Sequence, residues 1–347
     1  MSLTPTDPTL VESGSRPVGS RVLEVRDLRT YLYTRWGTTK AVDGVSLHLD
    51  AGETLGIVGE SGSGKSMLAL SLVRLTPEPA SRIVGGEVIL GGRDVLALSE
   101  KQMRAVRGKE ISMILQDPQQ SLNPVFSVGN QLAEAIRAHD SELSDEEAHQ
   151  RSVSALASVH VPAPEGRLRS FPHQLSGGMK QRIVGAMAMA FHPLVLIADE
   201  PTTALDVTIQ AQYLRLLKDL KTRTGVAIIL ITHDFGVIAE ACDRVAVMYA
   251  GRIVEQAPVS EIFDHPRHPY TRALLDSRPK VGAKATRLQS IAGQPPSLTD
   301  LPVGCRFSPR CTYAVDRCVQ EYPPTYQFEG HHLAACWRAE EEPWAAP

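Results

Sequence analysis

The sequence predicts an α/β fold: a mainly parallel sheet covered by helices on both faces, followed by a small, loop-rich region that carries cysteines. Three observations predict it. Short apolar runs, LGIV (55–58), PLVLIAD (193–199) and VAIILI (226–231), are bounded by glycine, proline or acidic residues and read as buried strands. Segments with apolar spacing of three and four, the signature of amphipathic helices, alternate with them. After about Phe263 the composition changes, and four of the five cysteines fall beyond that point.

Residues 1–20 are rich in proline, glycine and serine and read as a disordered leader. RVLEVRDLRTYLY (21–33) reads as a strand, and the alternation in VSLHL (45–49) as a half-exposed antiparallel one, with Ala51-Gly52 suited to a tight turn. LGIV is a buried strand ending at glycine, and SMLALSLVRL (66–75) a helix. GGEVILGGRDV (85–95) reads as a hairpin between glycine pairs. The stretch from 128 to 160 is helical, with SDEEAHQ (144–150) at its centre as a solvated acidic face. GGMKQRIVGAMAMAF (177–191) is a helix that leads into the strand PLVLIAD. QYLRLLKDLKTRTG (212–225) is an amphipathic helix with a glycine stop, VAIILI a strand, and RVAVMYAGRIVEQ (244–256) a closing hairpin. The expected domains are residues 21–262, with a helical subdomain at about 117–190, and 263–347.

Composition narrows the function classes. With 43% hydrophobic and 22% charged residues the chain is an ordinary globular protein, and its net charge of −3 argues against nucleic-acid binding by overall basicity. The longest apolar stretch, 183–198, is broken by His192 and Pro193 and is too short to span a bilayer. No signal segment is recognised at the start, so a cytosolic chain is expected, with any membrane role acting through a partner.

The chemistry begins at GESGSGKS. Gly59, Gly62 and Gly64 followed by Lys65 and Ser66 satisfy GxxxxGK[ST] between a buried strand and a helix. Glycines let successive N–H groups turn toward phosphate oxygens, and the helix presents its positive end to the same anion. Gly59, Ser61, Gly62, Ser63, Gly64, Lys65, Ser66 and Met67 are therefore the candidate phosphate-binding set, Lys65 as a point charge and Ser66 as an oxygen ligand to Mg²⁺. Asp199, ending the strand LVLIAD, is the second candidate Mg²⁺ ligand. Glu200 beside it is placed to polarise a water in line with the γ-phosphate.

LSGGMKQR (175–182), together with the phosphate loop, Gln116 in ISMILQDP, the ADEP segment, Ala204-Leu205-Asp206 and His233 in ITHD, resembles the ATP-binding subunit of ABC transporters, with all six motifs in family order. The resemblance implies the fold of a P-loop NTPase with a mixed sheet and a helical subdomain. It also implies roles: Gln116 as a sensor of Mg²⁺ and γ-phosphate, Ser176, Gly177 and Gly178 as the signature completing a second subunit's ATP site, Asp206 as a dimer contact, His233 as a γ-phosphate switch. Met179 replaces the commoner glutamine, as it often does in peptide importers. For adenine stacking Trp36 stands at the family's spacing, 23 residues before Gly59, with Tyr31 and Tyr33 as competitors. Two cassettes are then expected to close head-to-tail around two ATP molecules, with QDPQQSLNPVFSV (116–128) facing a transmembrane subunit.

HPRHPYTRALLDS (265–277) and IAGQPPSLTDLPVGCRFSPRC (291–311) resemble the C-terminal extension of the dipeptide, oligopeptide and nickel importer ATPases. That implies as partners two transmembrane permease subunits, a second and different ATP-binding chain, and an extracytoplasmic substrate-binding protein, with no nucleic acid. Cys305, Cys311, Cys318 and Cys336, spaced C-x5-C-x6-C-x17-C, lack the tight knuckle of structural zinc. The resemblance implies a 4Fe–4S cluster, with zinc as the alternative. Cys242 reads as a small buried apolar residue. Three further readings were open: an ABC ATPase acting on nucleic acid or ribosomes, a nickel-chelate importer subunit, and a non-hydrolysing partner. The single cassette and acidic balance speak against the first, and intact Lys65, Gln116, Glu200 and His233 against the last.

Overall fold

The computed structural model describes residues 17–116, 121–203, 205–277 and 291–341. Parts of the leader, of the segment after Gln116, the residue Ala204, and the basic stretch 278–287 lie outside them.

Two sheets organise the chain. The first is antiparallel, in the order β2-β1-β4-β5, from β1 (Arg21–Thr34), β2 (Gly37–Asp50), β4 (Ser81–Leu90) and β5 (Arg93–Asp94). The second runs β11-β12-β10-β9-β3-β8-β7-β6. Its strands are β3 (Thr54–Val58), β6 (Ile111–Ile114), β7 (Val195–Asp199), β8 (Ala227–Ile231), β9 (Arg244–Tyr249), β10 (Arg252–Pro258), β11 (Tyr326–Phe328) and β12 (His332–Ala334). From β6 to β9 neighbours are parallel; from β9 to β11 they are antiparallel, so the sheet is mixed. Every residue of β3, β7 and β8 is buried, which is why they read as unbroken apolar runs rather than alternating ones.

Helices cover the sheet: α1 (Lys65–Leu72), α2 (Glu100–Val106), α3 (Val128–Arg137), α4 (Asp145–Ser158), α5 (Pro164–Arg167), α6 (Gly177–Met189), α7 (Val207–Thr224), α8 (Phe235–Ala241), α9 (Val259–Asp264), α10 (Pro269–Asp276) and α11 (Asp316–Gln320). Leu68 and Leu72 of α1 pack between the sheets with Leu23, Leu49 and Ile57. Ile183 of α6 and Leu217 of α7 build a second core with Leu196 and Leu230.

Three elements differ from the sequence expectation. The helix after the glycine loop stops at Leu72, not at Leu75, because Arg74 takes φ +52° and turns the chain back. The segment 128–160 is two helices, α3 and α4, not one. The acidic run does not lie mid-helix but opens α4: Ser144 and Glu147 form a reciprocal capping box, and Asp145, Glu146 and Glu147 sit at the positive end of the helix dipole.

The C-terminal extension is fused to the edge of the second sheet. β12 pairs with β10 through Glu255↔Ala334 and Gln256↔Leu333. Beneath it, Tyr270 packs on Tyr249 and Phe307, with ring centroids 4.5 and 5.3 Å away from Tyr249 respectively. Glu255, fully buried, accepts from the His268 backbone at 3.0 Å and lies 2.7 Å from His332 Nε2, so a buried carboxylate is satisfied by the extension itself.

Candidate nucleotide site

β3 delivers the chain into the glycine loop at Val58. Gly64 takes φ +106°, and a Cβ there would come within 2.1 Å of the Ala41 carbonyl; one at Gly59 would come as close to the Met248 carbonyl. The loop is therefore pressed against β2 and β9, which fixes its path before any ligand arrives. The Gly251 N–H holds the Ser63 carbonyl at 2.8 Å. Lys65 is 6% exposed and donates to the Gly59 and Glu60 carbonyls at 2.8 and 2.9 Å, with Ser63 Oγ at 3.4 Å. Burial pulls its pKa down, opposed by Glu200, Asp199 and Glu60. Ser61, Gly62 and Ser66 are exposed, whereas Met67 packs its side chain on the core and offers a phosphate only its backbone amide.

Asp199 ends β7 with 3% exposure, and Oδ1 has no hydrogen-bond partner among the described residues. Desolvation pushes its carboxyl upward, and the Ser66 hydroxyl bond and the Lys65 charge offset this in part. A buried acid oxygen with spare acceptor capacity beside a serine hydroxyl is a hard donor set of the kind Mg²⁺ takes, and a dication would reverse the upward shift. Ser66 and Asp199 fit the ion.

Glu200 stands at φ +45°, its N–H donating to the Ile231 carbonyl at 2.9 Å. Such backbone costs energy for a residue with a Cβ and is held here by its surroundings. Gln116 Nε2 and Thr203 Oγ1 both donate to Oε2 at 3.0 Å, and His233 Nδ1 lies 3.4 Å from Oε1. Desolvation pushes the carboxyl up, but Thr203, His233 and Gln116 outweigh it and hold the pKa below the ordinary 4.5. Glu200 is thus an ionised, oriented acceptor at neutral pH.

Lys65, Gln116, Asp199, Glu200 and His233 come from the C-terminal ends of four neighbouring parallel strands, where α/β sheets bind ligands. Ser176 and Asp206 make their side-chain hydrogen bonds elsewhere, at helix starts. Ser176 caps α6 by accepting from the Met179 N–H at 3.4 Å, and Asp206 caps α7 through Thr208 and Ile209 at 3.0 Å each. Ser176 and Gly177 are exposed, whereas a Cβ on Gly178 would meet Ile209 at 2.7 Å.

The aromatic candidates separate. Tyr31 is tied up: its hydroxyl donates to Asp43 at 2.7 Å. Tyr33 is 47% exposed with Arg82 over its ring, and Trp36, in the turn between β1 and β2, is 74% exposed with Arg35 stacked at 3.9 Å.

Cys305, Cys311, Cys318 and Cys336 line one small cavity with Phe307, Pro323 and Trp337. Backbone N–H groups of Phe307 and Ser308 point at Cys305, that of Tyr313 at Cys311, and that of Arg338 at Cys336 at 3.4 Å. Burial raises the thiols of Cys305, to about 11, of Cys311, and of Cys336, to about 12. Among the described residues no group of three or more His, Cys, Asp or Glu side chains is placed to hold a metal ion. Sequence reasoning missed Thr203, and it missed Glu60, whose partners Tyr270 and Arg310 lie more than 200 residues away. Only the threonine had a local signal, its place two residues after the ADEP segment.

Residues 42–203 match the family model "ABC transporter", and residues 254–318 match "Oligopeptide/dipeptide transporter, C-terminal region". The chain is 53% identical over 328 residues to a probable peptide ABC transporter ATP-binding protein, y4tR, of Sinorhizobium fredii, covering 94% of this chain and 98% of that one. It is 50% identical to the oligopeptide transport ATP-binding protein OppD of Bacillus subtilis over 92% of this chain and 89% of that one. Among solved structures, the dimeric ATP-binding cassette MJ0796 bound to ADP and phosphate superimposes with a TM-score of 0.60 at 26% identity, over 68% of this chain and 98% of that one. No helix among the described residues is long and apolar enough to cross a membrane. The glycine loop ahead of α1, the carboxylates at the strand ends and the matched extension converge on one assignment: the chain belongs to the ATP-binding subunits of oligopeptide and dipeptide ABC transporters, the ATPases of peptide import.

Proposed function

We propose that this chain energises peptide import as one of two facing cassettes, its P-loop binding an ATP whose γ-phosphate is completed by the partner's signature. The observation that carries the reading is the split placement of the machinery. Lys65, Asp199 and Glu200 stand at the strand ends, while the N-terminus of α6, with Ser176 and Gly177 exposed, is free to offer its N–H groups to a facing cassette. Ser66, Asp199 and Gln116 would hold Mg²⁺, which neutralises phosphate charge when bound. Glu200 accepts a proton from the attacking water, and Gln116, Thr203 and His233 aim its carboxylate. Loss of the γ-phosphate contacts then lets the pair open. Asp206 at the pair's interface, two permease subunits, an extracytoplasmic binding protein and a sister ATPase complete the proposed assembly. Proteoliposomes holding the permeases, both ATPases and the binding protein are expected to hydrolyse ATP several-fold faster with peptide present; ATP turnover blind to peptide, with no uptake, contradicts the reading.

Adenine stacks on Trp36, the most exposed of the three aromatics, displacing Arg35 from its face. Trp36→Ala is expected to raise KM for ATP about tenfold, from a stacking contribution on the order of 1–1.5 kcal/mol; an unchanged KM with a raised one in Tyr33→Ala assigns the stack to Tyr33.

The four cysteines hold a 4Fe–4S cluster. Their shared cavity and the N–H groups aimed at their sulfurs support it, since such bonds stabilise thiolate charge. Anaerobically purified protein is expected to carry about four irons and four acid-labile sulfides per chain; about one zinc, or no metal, overturns the assignment.

A further inference from the structure

Glu60 carries the wrong sign of charge for its place. It follows Gly59 in the phosphate loop, and its carbonyl accepts from Lys65 Nζ at 2.9 Å. Its carboxylate field reaches the Lys65 ammonium. An unpaired carboxylate at this point repels an incoming triphosphate.

The extension supplies the remedy. Arg310, with 3% of its side chain exposed, grips both Glu60 oxygens: Nη1 to Oε2 at 2.6 Å and Nη2 to Oε1 at 3.0 Å. The guanidinium is itself held, donating through Nε to the Ala292 carbonyl at 3.0 Å and through Nη1 to Tyr249 Oη at 3.3 Å. Tyr270 Oη accepts the Glu60 N–H at 2.8 Å. A two-point pairing with a permanently charged, rigid fork both cancels the charge and fixes the loop's first turn. Arg310 directly precedes Cys311, so whatever fixes that cysteine also fixes the brace.

We propose that Arg310 is a positioning residue for ATP: by neutralising and orienting Glu60 it makes the C-terminal extension a working part of the nucleotide site. The inference rests on the ATP-binding reading above, and the test separates the two. ATP affinity and ATPase kinetics are measured on the full chain for Arg310→Ala, Glu60→Gln and the double variant. Arg310→Ala is expected to raise Kd and KM about tenfold, with kcat at saturation changed by less than about twofold. Adding Glu60→Gln is expected to restore KM to within about threefold of the parent, because the stranded charge is gone. A merely structural arginine would not be rescued this way. Arg310→Ala with unchanged KM, or a double variant no better than Arg310→Ala, overturns the inference. If Arg310→Ala does not fold, Arg310→Met, which keeps much of the packing bulk and removes the charge, takes its place with the same rise in KM and the same rescue by Glu60→Gln expected; absence of rescue there overturns it too. A parent chain that binds no ATP refutes the nucleotide reading itself.

Discussion

Lys65→Ala is expected to bind ATP more than a hundredfold more weakly than the parent chain. The side chain is nearly buried within the loop, donating to the Gly59 and Glu60 carbonyls, and it is the loop's only cation. Charge-assisted bonds to the β- and γ-phosphates, each contributing about 1.5–3 kcal/mol, replace those bonds when the nucleotide enters. Losing them costs on the order of 3 kcal/mol, which is the hundredfold. Isothermal titration with Mg-ATP measures it. Binding within a few-fold of the parent would remove the lysine, and with it the phosphate cradle, from the account.

Glu200→Gln separates binding from turnover. The amide keeps the shape and an oxygen for Gln116 and Thr203, so ATP still binds, but it cannot accept a proton. Turnover is expected to fall by about 10²–10⁴-fold, and the ATP-loaded cassettes to remain paired. The sign of the pH dependence follows from the surroundings of the parent carboxylate: held below 4.5 by Thr203, His233 and Gln116, it stays ionised as pH falls toward that value. The acid limb of the parent's rate profile attributable to this group therefore lies below pH 4.5. Parent-like rates in Glu200→Gln would assign the proton acceptor elsewhere.

Much of this site was legible because its parts are local. A phosphate loop is a contiguous run whose spacing is dictated by the turn it makes, and Asp199 and Glu200 are neighbours at the end of a strand recognisable from its apolar run. Gln116 and His233 were legible only through resemblance, since bringing them to Glu200 needs the parallel pairing of β6, β7 and β8. The sequence was silent on what depends on long-range packing. Nothing near Glu60 announces that its partner is Arg310, 250 residues on. Helix ends were misjudged where a single residue decided them: Arg74 at positive φ shortened α1, and the Ser144 cap starts α4 at the acidic run, which is solvated as expected but not mid-helix. The extension read as a separate region because its composition differs, yet β12 continues the cassette's own sheet. Composition follows exposure and loop content; sheet pairing is carried by the backbone and leaves little trace in it.

The account turns on ATP being shared between unlike surfaces of two cassettes. The direct measurement is a structure of the Glu200→Gln assembly with Mg-ATP. The γ-phosphate held by Lys65 of one cassette is expected within hydrogen-bond reach of the serine and glycine N–H groups that open the signature helix of the facing one. A nucleotide-filled assembly in which that helix start stands apart from every γ-phosphate contradicts it.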